Sequence, residues 1–211
     1  MKKEILTLVT SFVVLSQIGC SSKFIHLTRD NLDVRNRDIV SVNSGTNTLI
    51  LNDRKGDGMA IIEDLEFDKG IIELELKGEN NPGKSFVGIA FNIQNDSTYE
   101  AVYFRPFNFR SDEKIKREHS VQYIYHPKYN WRFLRTNHEG QFESEYPRRP
   151  SPDDWFGVLV KIDDLKVTVY DRETNTELVS IERLTQQVSN RIAFWTGFNS
   201  KGEFRKLKIK N

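Results

Sequence analysis

A single cysteine in 211 residues excludes an intrachain disulfide. Whatever folds here is held by its core alone, in any compartment. Beyond the N-terminus no apolar run approaches the ~20 residues that a membrane-spanning helix needs. An excess of positive charge is also missing, with 31 Lys and Arg against 30 Asp and Glu and a formal net charge of +1. That argues against nucleic acid as the main partner, because phosphate binding is carried by surplus basic residues. The four histidines, His26, His119, His126 and His138, lack the close paired spacing of a zinc site. Neither a Gly-x-Ser-x-Gly elbow nor a phosphate-cradling glycine loop occurs. No cofactor and no metal is therefore expected. The nearest approach to a calcium set is Asn52, Asp53 and Asp57 around a glycine-rich turn.

What is present is β-structure. Aromatic residues make 11% of the chain, and short Val, Ile and Thr runs favour strands over helices. Period-two alternation begins at Ile39 and is cleanest in Gly70–Lys77, where Ile72, Leu74 and Leu76 share one face and Glu73 and Glu75 the other. Strands are expected at 39–43, 48–52, 59–64, 70–77, 86–94, 98–107, 119–126, 155–162, 166–171, 177–181, 191–197 and 204–210. Turn signals such as Asn80-Asn81-Pro82-Gly83 separate them. This is the habit of an all-β, two-sheet antiparallel jelly-roll sandwich in one domain. Trp155 and Trp195 fall within strand patterns and are expected in the core; residues 135–154 read as loop.

At the N-terminus, Met1-Lys2-Lys3 precedes an apolar run from Leu6 to Leu15, the layout of an export signal. The stretch Gln17-Ile18-Gly19-Cys20 resembles a bacterial lipoprotein signal, with Gln17 in place of the usual leucine. The resemblance implies residues 1–20 as a signal peptide, Cys20 as the lipidated residue and a cell-envelope location with the membrane met only through the anchor. Residues 21–38, polar and of alternating charge, read as a tether, leaving 39–211 as the sandwich.

The succession GIIELELKG, SFVGIAFNIQNDSTYEAVYFRPFN, HSVQYIYHPKYNW, WFGVLVKI, IAFWTGF and EFRKLKI resembles exported concanavalin A-like jelly-roll domains. The groups concerned are laminin-G-like modules and the domain linked to 3-keto-disaccharide hydrolases. The resemblance spans about residues 39–209. It implies two stacked sheets, the concave one facing carbohydrate.

Candidate site residues follow from strand parity. Tyr103 and Arg105 share a face of 98–107 and are suited to stack on a sugar and donate to its hydroxyls. Glu100 falls on the apolar face and needs a partner, since a buried carboxylate is costly when unpaired. Gln122, Tyr123 and Trp131 complete the expected ligand contacts, Trp131 as a stacking platform or else a core plug. The Glu-x-Asp-x-x-Glu strand of glycosidases with this fold is absent. If there is catalysis, on a glycoside or keto-sugar, Glu100 and His119 are the acid and base to consider. The expected partner is a glycan; the alternative is a structural or protein-interaction module.

Overall fold

Fifteen strands form two antiparallel sheets in the computed structural model, which describes residues 22–211. The eight-stranded sheet runs β13 (Thr176–Glu182), β12 (Lys166–Asp171), β11 (Phe156–Ile162), β6 (Gly70–Lys77), β15 (Gly202–Lys210), β4 (Thr48–Leu51) and β3 (Ile39–Asn43). A short β1 (Lys23–Phe24) pairs with β15 beside that path. The seven-stranded sheet runs β10 (Glu143–Ser144), β9 (Val121–His126), β8 (Thr98–Phe104), β7 (Val87–Asn95), β14 (Ile192–Thr196), β5 (Gly58–Ile62) and β2 (Leu32–Arg35). The chain changes sheet repeatedly between consecutive strands, as in a jelly roll.

Alternation explains the layering. Ile72, Leu74 and Leu76 of β6 are wholly buried and share one core between the layers with Val87, Ile89 and Phe91 of β7. The expected strands lie where the alternation placed them, and three short ones, β1, β2 and β10, escaped notice. Two short helices, α1 (Lys114–Glu118) and α2 (Trp131–Asn137), lie at the β10–β9 end of the seven-stranded sheet, α1 against β10 and α2 against β9. The Asn130 side chain caps α2 by accepting from the Phe133 backbone N–H at 3.0 Å.

Residues 22–38 are not a tether. They supply β1 and β2 and bury Ile25, Leu27 and Leu32 in the main core. Leu32 and Val34 carry the period-two signal, but the alternating charges of Asp33 and Arg35 disguise it, because β2 is an edge strand whose outer face meets water. The signal peptide of residues 1–20 and Cys20 lie outside the described residues.

The outer face of the eight-stranded sheet carries paired charge. Glu75 accepts from Arg172 (2.6 Å), Arg205 (2.5 Å) and Lys206 (3.0 Å). Glu75 is thus a buried hub rather than the solvated strand residue its spacing suggests. Trp155 is half-buried on this face, with the Arg205 guanidinium 4.1 Å from its ring, and is not a core residue. Burial pushes the Glu75 carboxyl up, but hydrogen bonds from Arg172, Lys206 and Arg205 outweigh it and bring it to about 2 from the usual 4.5. A carboxylate depressed in the folded state stabilises above its unfolded pKa and loses that contribution as pH falls through its folded pKa. Unfolding of the native chain is therefore expected to ease as pH drops from 4.5 towards 2, and Glu75→Gln to flatten that limb in urea titrations. An unchanged limb would mean that the three cations do not hold the carboxylate.

Candidate functional site

The seven-stranded sheet is buried on both faces, and its two faces hold different polar groups. Along β8, Glu100, Val102 and Phe104 turn to the interlayer, while Tyr99, Ala101 and Tyr103 turn outward. Glu100 has no exposed surface. It accepts from Arg183 through Nη2 (2.6 Å) and Nε (3.1 Å), from the Tyr123 hydroxyl (2.6 Å) and from Asn92 Nδ2 (2.6 Å). Asn92 reaches it through a bulge in β7: the residue has φ 50°, the register slips between Phe91 and Asn95, and Ile93 is carried to the outer face.

The partner that a buried Glu100 needs is thus Arg183, and not the arginine nearest to it along the strand, Arg105. Glu100 and His119 form no acid–base pair, because Glu100 is sealed between the layers while His119 lines a cavity on the other side of the sheet. Tyr123 is also sealed; burial and the Glu100 carboxylate push its hydroxyl up, and it contacts no open space.

On the outer face, Gly88, Ala90, Ala101 and Ala193 make a low floor. Tyr103 and Trp195 lie over it with ring centroids 5.0 Å apart, and Trp195 Nε1 donates to the Tyr99 hydroxyl at 3.1 Å. A Cβ on Gly88 would collide with the Val102 carbonyl oxygen, so the adjoining strand leaves no room for a side chain there. Leu134 of α2 and Tyr129 before it pack onto the same cluster.

Arg105 follows β8 directly. Its guanidinium sits 4.9 Å from the Tyr103 ring and 5.8 Å from that of Phe86. Nη1 donates to the His119 carbonyl at 2.6 Å; Nη2 donates to the Tyr103 hydroxyl at 2.7 Å and to Gln122 Oε1 at 3.3 Å. Gln122 in turn donates to the Tyr123 and Phe142 carbonyls. Burial raises the Tyr103 hydroxyl to about 12 against the pull of Arg105. Tyr103 and Gln122 are therefore the supports of Arg105 and not exposed contacts.

Above Arg105 opens a cavity of about 970 Å³. Its walls come from the 80–86 loop, from 105–119, from the start of α2, from Pro152 and from Phe198. Trp131 stands at its rim, 41% exposed, with the guanidinium carbons of Arg132 and Arg135 at 5.4 and 5.2 Å from its ring. Arg135 grips Glu143 with two bonds of 3.1 and 2.7 Å. His119 Nδ1 lies 2.9 Å from Glu143 Oε2 but makes no aligned hydrogen bond. Burial lowers the His119 pKa; Glu143 opposes this, and Arg135 and Arg105 reinforce it. Burial thus disfavours the charged form of the imidazole.

Of the sequence candidates, Arg105, His119 and Trp131 share this cavity; Tyr103 and Gln122 lie beneath it, and Glu100 and Tyr123 are across the sheet. Arg110, Lys116, Arg132, Arg135 and Phe198 were missed. They come from loops and short helices, whose convergence no strand periodicity announces. The turn residues considered for calcium are engaged otherwise: Asn52 bonds Asp38, and Asp57 lies 3.8 Å from His126 beside Tyr99. Among the described residues no three His, Cys, Asp or Glu side chains gather as a metal ion would need.

No protein-family model and no curated protein sequence matches the chain. Solved structures do. The carbohydrate binding module CBM66 from Bacillus subtilis aligns with a TM-score of 0.52 at 8% identity, over 77% of this chain and 86% of that one. A prokaryotic β-1,3-1,4-glucanase (lichenase) derived from a mouse hindgut metagenome aligns at 0.55 and 9%, over 90% and 98%. The mannose- and calcium-bound exoplasmic/lumenal domain of VIP36 aligns at 0.54 and 10%, over 85% and 82%. The fold is the concanavalin A-like jelly-roll sandwich. Likeness at such identities extends to the fold alone.

Removing Glu100 strands Arg183, whose side chain is only 6% exposed. Glu100→Ala is expected to cost about 3–5 kcal/mol in chemical unfolding, the usual penalty for orphaning one member of a buried ion pair. A loss below about 1 kcal/mol, the range of surface pairs, would show that water reaches the pair.

Proposed function

We propose that this chain is a saccharide-binding jelly-roll domain whose ligand occupies the cavity above Arg105. The observation that carries the reading is the cavity itself. It has the volume of a small-ligand site, exposed aromatic rings of Trp131 and Phe198 at its lining (41% and 48% exposed), and the planar donor group of Arg105 at its base. Flat aromatic surface suits the apolar face of a pyranose, and a guanidinium suits its hydroxyls. Three of the aligned structures, a carbohydrate binding module, a mannose-bound lumenal domain and a glucanase, agree with that chemistry. Hydrolysis by Glu100 and His119 is disfavoured, because the Glu100 carboxylate does not reach the cavity.

Calorimetry against neutral and acidic polysaccharides tests this. Trp131→Ala is expected to weaken binding about tenfold, as loss of an exposed aromatic anchor does, with the melting temperature unchanged. Absence of saccharide binding by the native chain would contradict the proposal.

The same reading includes export and lipid anchoring through Cys20, supported by the basic and apolar layout of residues 1–20. Expressed in a bacterial host, the full chain is expected to incorporate a labelled fatty acid and to sediment with membranes, and Cys20→Ala to do neither. Equal labelling of both chains would remove the anchor from the account.

A further inference from the structure

The charge at the cavity is far from the chain's average. Over the whole sequence the signs nearly cancel, at +1. The cavity lining holds five cations, Arg105, Arg110, Lys116, Arg132 and Arg135, against the two carboxylates of Asp112 and Glu113.

The pairing sharpens the contrast. Arg135 is neutralised by Glu143 behind the wall, and Lys116 by Glu113. Among the described residues no carboxylate comes within ion-pair distance of Arg105, Arg110 or Arg132. Arg110 donates only to the Arg149 carbonyl, and Arg132 only approaches the Trp131 ring. Asp112 is the one lining carboxylate without a cation partner, and it stands exposed.

Arg105 is the most telling of the three. It is 6% exposed, and every hydrogen bond it makes goes to a neutral acceptor: a carbonyl, a phenol and an amide oxygen. Taking a guanidinium out of water without a counter-ion is expensive. Its charged form is accordingly disfavoured by burial, with only partial relief from Tyr103 and Glu143. Its Nε–H has no protein acceptor among the described residues. A buried cation held by neutral groups at the base of a cavity is a site completed by an anion.

Building on the saccharide reading, we propose that the ligand is an acidic saccharide, a glycan bearing carboxylate or sulfate groups, with its charged substituent seated on Arg105 and flanked by Arg110 and Arg132. The aromatic rings at the lining take the apolar ring faces, and the unpaired guanidiniums take the charges. A bare nucleic-acid backbone is disfavoured by the near-zero charge of the chain as a whole.

The test compares polygalacturonate with its methyl ester, which keeps the backbone and removes the charge. Heparin serves as the sulfated polymer, laminarin as the neutral one and inorganic sulfate as the free anion. Binding to polygalacturonate or heparin is expected, at least about tenfold tighter than to the ester or laminarin, and weakening as salt rises from about 50 mM to about 500 mM. Arg132→Gln, at an exposed position, is expected to lose most of that preference at an unchanged melting temperature. Equal binding to charged and neutral polymers would overturn this inference and leave the saccharide reading standing. Binding to none of the polymers would overturn both. Inorganic sulfate competing as well, weight for weight, as the acidic polymers would overturn the saccharide specificity and leave a simple anion pocket.

Discussion

A sheet buried on both sides has no water to satisfy its polar groups, so each such group must find a partner inside the protein. In this chain the seven-stranded sheet is under that constraint, and most of the features around the site descend from it. One side encloses Glu100 with Arg183, Asn92 and Tyr123; the other encloses Tyr103, Gln122 and Arg105 under α2 and its preceding turn. Adjacent residues on β8 send their side chains to separate chemical environments, and the strand between them is the barrier. A carboxylate and a guanidinium only five positions apart therefore never meet.

The two polar sets differ in how complete they are. Around Glu100 the charge is balanced: an anion, a cation and two neutral donors close on one another, and the group belongs to the scaffold. Around Arg105 it is not, because every acceptor is neutral and the remaining side opens to the cavity. The first set fixes how the sheets stack and how the bulge at Asn92 sits. The second leaves an electrostatic demand that an incoming ligand can meet. This asymmetry separates structure from function in the molecule.

Much of the sandwich was legible in the sequence because period-two alternation reports directly on which residues face the core. The pattern in Gly70–Lys77 and the parity of Tyr103 and Arg105 against Glu100 both came through unaltered. Parity failed where the backbone departs from regular pleating: the bulge at Asn92 exchanges the faces of Asn92 and Ile93, a change with no marker in composition. It also failed at the edge, where the charges of β2 hid a real strand within what reads as a tether. The site was half legible. Arg105 and Trp131 stand out from their patterns, but the arginine that holds Glu100 lies 83 residues downstream of it and the cavity walls come from separate loops. Only the closed fold brings such segments together.

A charged glycan seated as proposed on Arg105 is expected to touch the lining of that cavity. Amide and indole chemical-shift mapping with a polygalacturonate oligosaccharide tests it most directly. The expected perturbations fall on residues 80–86, on 105–119, on the Trp131 indole and on Phe198, with the Glu75 and Arg205 surface silent. Perturbations centred on Glu75, Arg205 and Trp155, or on Asp57 and His126 at the other end of β8, would contradict it.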